Sequence, residues 1–204
     1  MSEQKEELID FSHYNRIYIY SEFWNISKEH QRLHEKYLEL ASQIFEHDQE
    51  WQREDYYDFR KKSQQSGYIA IVFAAMYIEG AIYNFGAIYL GDNYVKKNLD
   101  KLGVLAKISV ILRMVTGKDI DPDSQAFEHL KILLKYRNSL VHSKSRPIVS
   151  PENFFEIQEK GSKEYYQAIE SAKKAIEYLD AETKQLHIDE NFPGIFGHDL
   201  TLND

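Results

Sequence analysis

Tyr68-Ile-Ala-Ile-Val-Phe-Ala-Ala-Met-Tyr-Ile-Glu79-Gly-Ala-Ile-Tyr-Asn84-Phe-Gly-Ala-Ile-Tyr-Leu90 is a run of 23 residues with a single charge. As a helix it is long enough to cross a bilayer core of roughly 30 Å. Glu79 and Asn84 stand in its middle, Gly80 and Gly86 interrupt it, and there is no second apolar span. Polar groups of this kind are expensive in lipid. The reading therefore favours a central helix buried on nearly all sides by neighbouring helices. A helix that is apolar all round must be surrounded, and this one sets the expected class: an all-α, up-and-down helical bundle with an N-terminal helical extension.

Working outward, the chain has few interruptions: 9 Gly and 4 Pro in 204 residues, with β-branched runs scarce. Before the apolar run, Ser27 is an expected N-cap for one long helix reaching about Lys62. Its stripe is Leu33, Tyr37, Leu40, Ile44, His47 and Trp51, at alternating spacings of three and four. The pattern turns polar around Ser63 to Gly67, and the apolar helix begins. Ahead of Ser27, the segment from Tyr14 to Trp24 alternates like a strand without an obvious partner and reads as an arm.

After the apolar run, Gly91-Asp92-Asn93 ends the helix. A shorter helical stretch from Val95 to Val115 follows, broken near Gly103 and closed by Gly117. Asp121-Pro122 reads as a helix start, with Phe127, Leu130, Leu134 and Val141 facing a core and an end near His142. Pro147 and Pro151 imply an extended connection. Ser162 opens a last helix carrying Tyr165, Ile169, Ala172, Ile176 and Leu179, and the aperiodic tail from His187 reads as loosely packed. The expected division is an arm over 1–26, a bundle over 27–186 and a tail over 187–204.

Composition excludes several chemistries. The chain has no cysteine, which removes disulfide scaffolds, thiolate zinc sites, iron–sulfur centres and cysteine nucleophiles. That usage fits a reducing cytoplasm, and Met1 to Asp10 has none of the features of a signal peptide. No phosphate-binding glycine loop and no nucleophile elbow occur. None of the eight histidines has a glutamate three residues before it, as paired di-iron sites in bundles require. His30 and His34 stand one turn apart but lack the intervening glutamate of a zinc helix, and a solvated face is the plainer reading. His47 reads as a core or boundary histidine. Neither a metal nor a cofactor is expected.

The stretch that carries chemistry is Lys131-Ile-Leu-Leu-Lys-Tyr-Arg-Asn-Ser-Leu-Val-His-Ser-Lys144. Lys131, Lys135, Asn138 and His142 share one polar helix face, a surface suited to phosphate with a titratable group at its end. Arg137 lies about 140° from His142 on an ideal helix. Either the helix unwinds near His142, or two copies pair so that the groups of both chains meet in a composite site. The net charge of −8 also hides an uneven distribution. Lys131, Lys135, Arg137, Lys144 and Arg146 lie between Glu128 and Glu152 without an intervening acid, and the rest of the chain is strongly acidic. An acidic body with one basic strip guides a phosphate backbone to one place.

Arg137-Asn138-Ser-Leu-Val-His142 resembles the R-N-x-x-x-H signature of HEPN domains. Its position late in a bundle, after an apolar helix and before one more long helix, resembles that superfamily as well. The resemblance covers about Ser63 to Gln185. It implies a metal-independent endoribonuclease leaving 2′,3′-cyclic phosphate and 5′-hydroxyl ends, acting as a toxin or anti-phage effector. His142 would be the general acid/base, Arg137 the phosphate ligand and Asn138 an orienting group, with Lys131, Lys135, Lys144 and Arg146 binding substrate. HEPN bundles can place an acid near the Arg/His pair, which would make Glu79 a supporting acid paired with Arg137; a structural hydrogen bond between helices is the plainer reading of Glu79. Lys144 stands where some HEPN toxins carry a tyrosine modified by a partner nucleotidyltransferase, so that regulation is not implied. RNA, a second copy of the chain and an antitoxin protein are the implied partners; neither DNA nor a membrane is expected. The alternative is a catalytically silent HEPN-like module that binds nucleotide, RNA or a partner protein.

Overall fold

The structure, a computed structural model, describes residues 19–47, 54–142, 150–186 and 195–196. Six helices pack together as an all-α bundle, and the described residues contain no strand. The apolar run forms the C-terminal part of a 37-residue helix, α2 (Glu54–Leu90). Ile71, Ala74, Ala75, Tyr77, Ile78, Ala81 and Ile82 are almost wholly withdrawn from solvent. By length and composition α2 could cross a membrane, but it is the central helix here, mostly covered by its neighbours. It stops at Gly91, whose φ of 87° is a left-handed conformation that favours glycine.

The expected continuous helix from Ser27 to about Lys62 is instead two helices. The first, α1 (Ile19–His47), ends before α2 begins at Glu54; Trp51 lies outside the described residues. An unbroken helix over that range would extend roughly 54 Å and carry its apolar stripe away from any core. Folding back places α1 antiparallel along α2. Ser27 is therefore not a cap: its buried hydroxyl donates to the Ala70 carbonyl at 2.9 Å. The arm reading is corrected from Ile19 onward as well. Tyr20, Phe23 and Trp24 lie on α1 and pack against α2, with Trp24 stacked on Tyr77 at 5.7 Å between centroids. Residues 1–18 lie outside the described residues.

After Gly91 comes a single turn, α3 (Asp92–Tyr94), continuing as a π-helical turn over Val95–Leu99. Gly103 then leads into α4 (Val104–Thr116), which Gly117 caps at φ 72°. The next helix, α5 (Gln125–Val141), begins later than Asp121-Pro122 suggests. Asp121 Oδ1 accepts from the Asp123 amide at 2.9 Å, forming an Asx turn, and Ser124 is the N-cap, accepting from the Phe127 amide. The last helix, α6 (Pro151–Gln185), starts well before Ser162, because Pro151 takes the first helical position, where a missing N–H leaves no bond unmade. It runs antiparallel to α5, with His129 Nδ1 3.0 Å from Ser171 Oγ.

Two further expectations change. Val141 is 53% exposed rather than in the core. In the tail, Ile195 and Phe196 are buried; the Phe196 ring stacks on Tyr77 at 5.2 Å, and the Ile195 amide donates to Thr183 Oγ1 at 3.4 Å.

A buried polar hub ties α1, α2 and α6. His34 Nδ1 donates to the Ser63 carbonyl at 3.0 Å, and Ser63 Oγ donates to the His34 carbonyl at 3.1 Å. The Tyr165 hydroxyl donates to the carbonyls of Ser63 and Gln64, each at 3.4 Å. Gly67 makes room for it: a Cβ there would overlap the Tyr165 hydroxyl.

Gly67→Ala should therefore lose about 1–3 kcal/mol by overpacking. Gly161→Ala, in open space within α6, should gain about 0.5–1 kcal/mol instead. Urea unfolding of both variants beside the parent checks the contrast. A second expectation concerns alkali. Burial raises the phenols of Tyr68, Tyr136 (to about 12) and Tyr165 above their ordinary value of 10.0. The folded protein holds protons that the unfolded chain releases, so stability should be full below about pH 10 and fall as pH rises through about 12. Denaturant midpoints measured across that range, beside tyrosinate absorbance, test this.

Candidate functional site

The buried seam of α5 runs Ala126, Leu130, Leu133 and then Arg137, at spacings of four, three and four. Arg137 thus occupies the next inward position of a core face, with 24% of its side chain exposed. Opposite it, Glu79 on α2 is a polar insertion in the apolar helix, with 41% exposed. Arg137 Nη2 donates to Glu79 Oε2 at 3.3 Å, and Nη1 donates to Asn138 Oδ1 at 3.0 Å. The buried Arg137 Nε has no hydrogen-bond partner among the described residues. The guanidinium is held by two protein acceptors in a half-dry seam, where charge interactions are stronger than in water.

His142 sits one turn beyond Asn138, where its backbone N–H donates to the Asn138 carbonyl at 3.0 Å. It is the C-cap of α5, at φ −110° and ψ 36°, and it is exposed. No hydrogen bond joins its ring to another described residue. Within one chain Arg137 faces α2 while His142 stands in solvent at the end of α5. Arg137, Asn138 and Glu79 are brought together; His142 is adjacent but outside their network.

The lysine stripe is on the surface but engaged. Lys131 Nζ donates to the Pro122 carbonyl at 2.8 Å, and Lys135 pairs with Glu164 of α6 at 3.0 Å. Glu164 is an acid that the uninterrupted basic strip of α5 does not reveal, because it arrives from another helix. Lys144 and Arg146 lie outside the described residues. The His30/His34 pair is not a solvated face: His34 is 4% exposed and committed to the hub with Ser63 and Tyr165. Among the described residues no three His, Asp or Glu side chains gather as a metal group would.

One feature escaped the sequence reading. A cavity of about 510 Å³ opens between the start of α1, the middle of α2 and α4, and Glu79 lines it. Tyr20, Phe23 and Tyr83 form aromatic walls, and Lys107 and Asp100 also border it. Gly80 allows this close approach of α1, since a Cβ there would lie 2.5 Å from the Tyr20 Cβ. The signal was present in Val104-Leu-Ala-Lys107-Ile-Ser-Val-Ile111, where a lysine falls on the buried face of an apolar helix.

The Arg137–Glu79 pair is partly solvated, so a double-mutant cycle with Arg137→Met and Glu79→Gln should give a coupling of about 0.5–1 kcal/mol. Thermal unfolding of the four proteins at low and high salt measures it, and the coupling should shrink in high salt. Compared with known proteins, the chain matches no family model, no curated protein and no solved structure.

Proposed function

We propose that this bundle is a metal-independent endoribonuclease of HEPN type, in which Arg137, Asn138 and His142 act on the phosphodiester of RNA. The observation that carries the reading is the arrangement near the C-terminal end of α5. An arginine there is fixed by Glu79 and Asn138, and an exposed histidine follows at the helix end. A cation and a titratable imidazole are the two groups that attack by a ribose 2′-oxygen calls for. His142 moves the proton of the 2′-hydroxyl and protonates the departing 5′-oxygen. The new bond joins the 2′-oxygen to phosphorus, the bond to the 5′-oxygen breaks, and the products are a 2′,3′-cyclic phosphate and a 5′-hydroxyl. Arg137 neutralises the charge that builds on the phosphoryl oxygens, and Asn138 holds its fork in place.

Arg137 and His142 diverge on one helix, so the reading includes an isologous dimer in which the exposed end of α5 meets its counterpart. The exposed apolar Val141 beside His142 supports contact there. Lys131, Lys135, Lys144 and Arg146 are the proposed backbone-steering residues, and a reducing cytoplasm is the proposed setting. A toxin or defence role, with an antitoxin protein to restrain it, extends the same reading. A second reading has its own support: both terminal nitrogens of Arg137 already have protein partners, as in a silent module that binds RNA, nucleotide or protein without turnover.

The test is cleavage of a labelled RNA in EDTA, wild type beside His142→Ala, with the solution mass measured in parallel. The expected result is a dimer that yields cyclic phosphate ends, and loss of activity of roughly 10²–10⁴-fold in the variant. Undiminished cleavage by His142→Ala overturns the catalytic assignment. RNA binding without turnover in the wild type selects the second reading.

A further inference from the structure

Lys107 has 3% of its side chain exposed, at the edge of the cavity between α1, α2 and α4. Burying an ammonium is costly unless acceptors surround it. Among the described residues its one ion-pair contact is Asp100 Oδ1, at 3.5 Å, beyond ordinary hydrogen-bond length. A donor-rich cation thus borders a cavity while short of acceptors. Beside it, the Asp100 carboxylate, 55% exposed, offers acceptors from the same wall.

This pairing constrains the ligand. A phosphate or carboxylate would meet Asp100 and Glu79 with like charge. A simple cation would meet Lys107. A neutral planar group with an acceptor beside donors satisfies both members of the pair, and Tyr20, Phe23 and Tyr83 supply rings for it to stack on. The volume, about 510 Å³, lies within the usual range of small-ligand sites, about 300–1,000 Å³.

We propose that this cavity is a guanine-binding pocket. The guanine O6 accepts from the Lys107 ammonium, N1–H and the 2-amino group donate to Asp100, and the ring stacks on the aromatic walls. Adenine reverses the polarity at both places, with an amino group toward Lys107 and a bare nitrogen toward Asp100. Cytosine reverses it likewise. Uracil keeps the keto and N–H pair but lacks the second donor. The expected order is guanine first, uracil second, adenine and cytosine last.

Glu79 belongs both to the cavity wall and to the Arg137 network. A guanine seated in the cavity is therefore next to the group proposed to hold the scissile phosphate, which makes the pocket the base-selecting subsite of the cleavage reaction. That last step rests on the ribonuclease reading; guanine binding itself does not.

Calorimetric titration of the full chain with GMP, UMP, AMP and CMP tests the binding. GMP should bind at least about tenfold more tightly than AMP, the ratio expected when the buried Lys107 ammonium loses its acceptor and Asp100 loses its donors. Lys107→Met, which keeps length and removes the charge, should erase that preference; Tyr83→Leu should weaken all four nucleotides and serves if the first variant does not fold. Equal affinity for the four nucleotides, no binding, or an unchanged GMP preference in Lys107→Met overturns the pocket. An RNA of mixed sequence separates the two sources of guanine. Cuts concentrated beside guanine, and less so in Lys107→Met, support a base within RNA. GMP binding with cuts indifferent to guanine overturns the subsite and leaves a pocket for free nucleotide. GMP binding without any cleavage removes the ribonuclease reading while the pocket stands. Cleavage without GMP binding or guanine preference removes the pocket alone.

Discussion

The apolar surface of α2 has to leave water on nearly every side, and the other helices are arranged by that demand. α1 folds back along its whole length, α4 and the turn before it cover the C-terminal part, and α5 and α6 close the remaining faces. Removing apolar area from water contributes roughly 25 cal/mol per Å², so leaving even one face of such a helix open would forfeit several kcal/mol. Three polar residues along α2 each have a partner from another helix. Ser63 meets His34, Glu79 meets Arg137, and Asn84 Nδ2 reaches the Tyr20 hydroxyl at 3.3 Å.

Seen this way, the two charged pairs near α2 have a common logic. Arg137 with Glu79 and Lys107 with Asp100 each combine a largely buried cation with a more exposed acid. A pair of that kind contributes little net stability compared with well-packed apolar side chains. Glu79, Asp100 and Lys107 line one cavity; among the described residues Arg137 Nε has no hydrogen-bond partner, and the Lys107 ammonium has one ion-pair contact, the long one to Asp100. A core built only for stability would place leucine or methionine at these positions.

The bundle class was legible because it followed from one long apolar run, and the ends of helices at Gly91 and Gly117 were legible because left-handed residues favour glycine. The arginine, asparagine and histidine could be placed on one helix from spacing alone, and the divergence of Arg137 from His142 followed from helix geometry. Other features depended on tertiary context. The stripe from Leu33 onward continues to Trp51 in helical register, so periodicity could not reveal that the chain turns back between His47 and Glu54. The alternation in Ile17-Tyr18-Ile19-Tyr20 mimics a strand over a stretch too short to tell period two from a helix. Pro151 signals either a break or a helix start, and only packing against α5 chooses. Val141 follows the apolar spacing of α5 yet lies past the point where α2 can cover it. The cavity was hidden because its walls come from three helices far apart in sequence.

The ring of Tyr77 is enclosed by Trp24 on α1 and Phe196 near the far end of the described chain, each stacked nearly parallel to it. The first partner arrives through a helical hairpin and can form early, since α1 and α2 are neighbours in sequence. The second has to wait for residue 196 to be synthesised. A nascent bundle therefore carries one uncovered aromatic face at its centre until translation has passed α6, and a chain stalled before that point presents chaperones and proteases with an apolar handle that the finished molecule conceals.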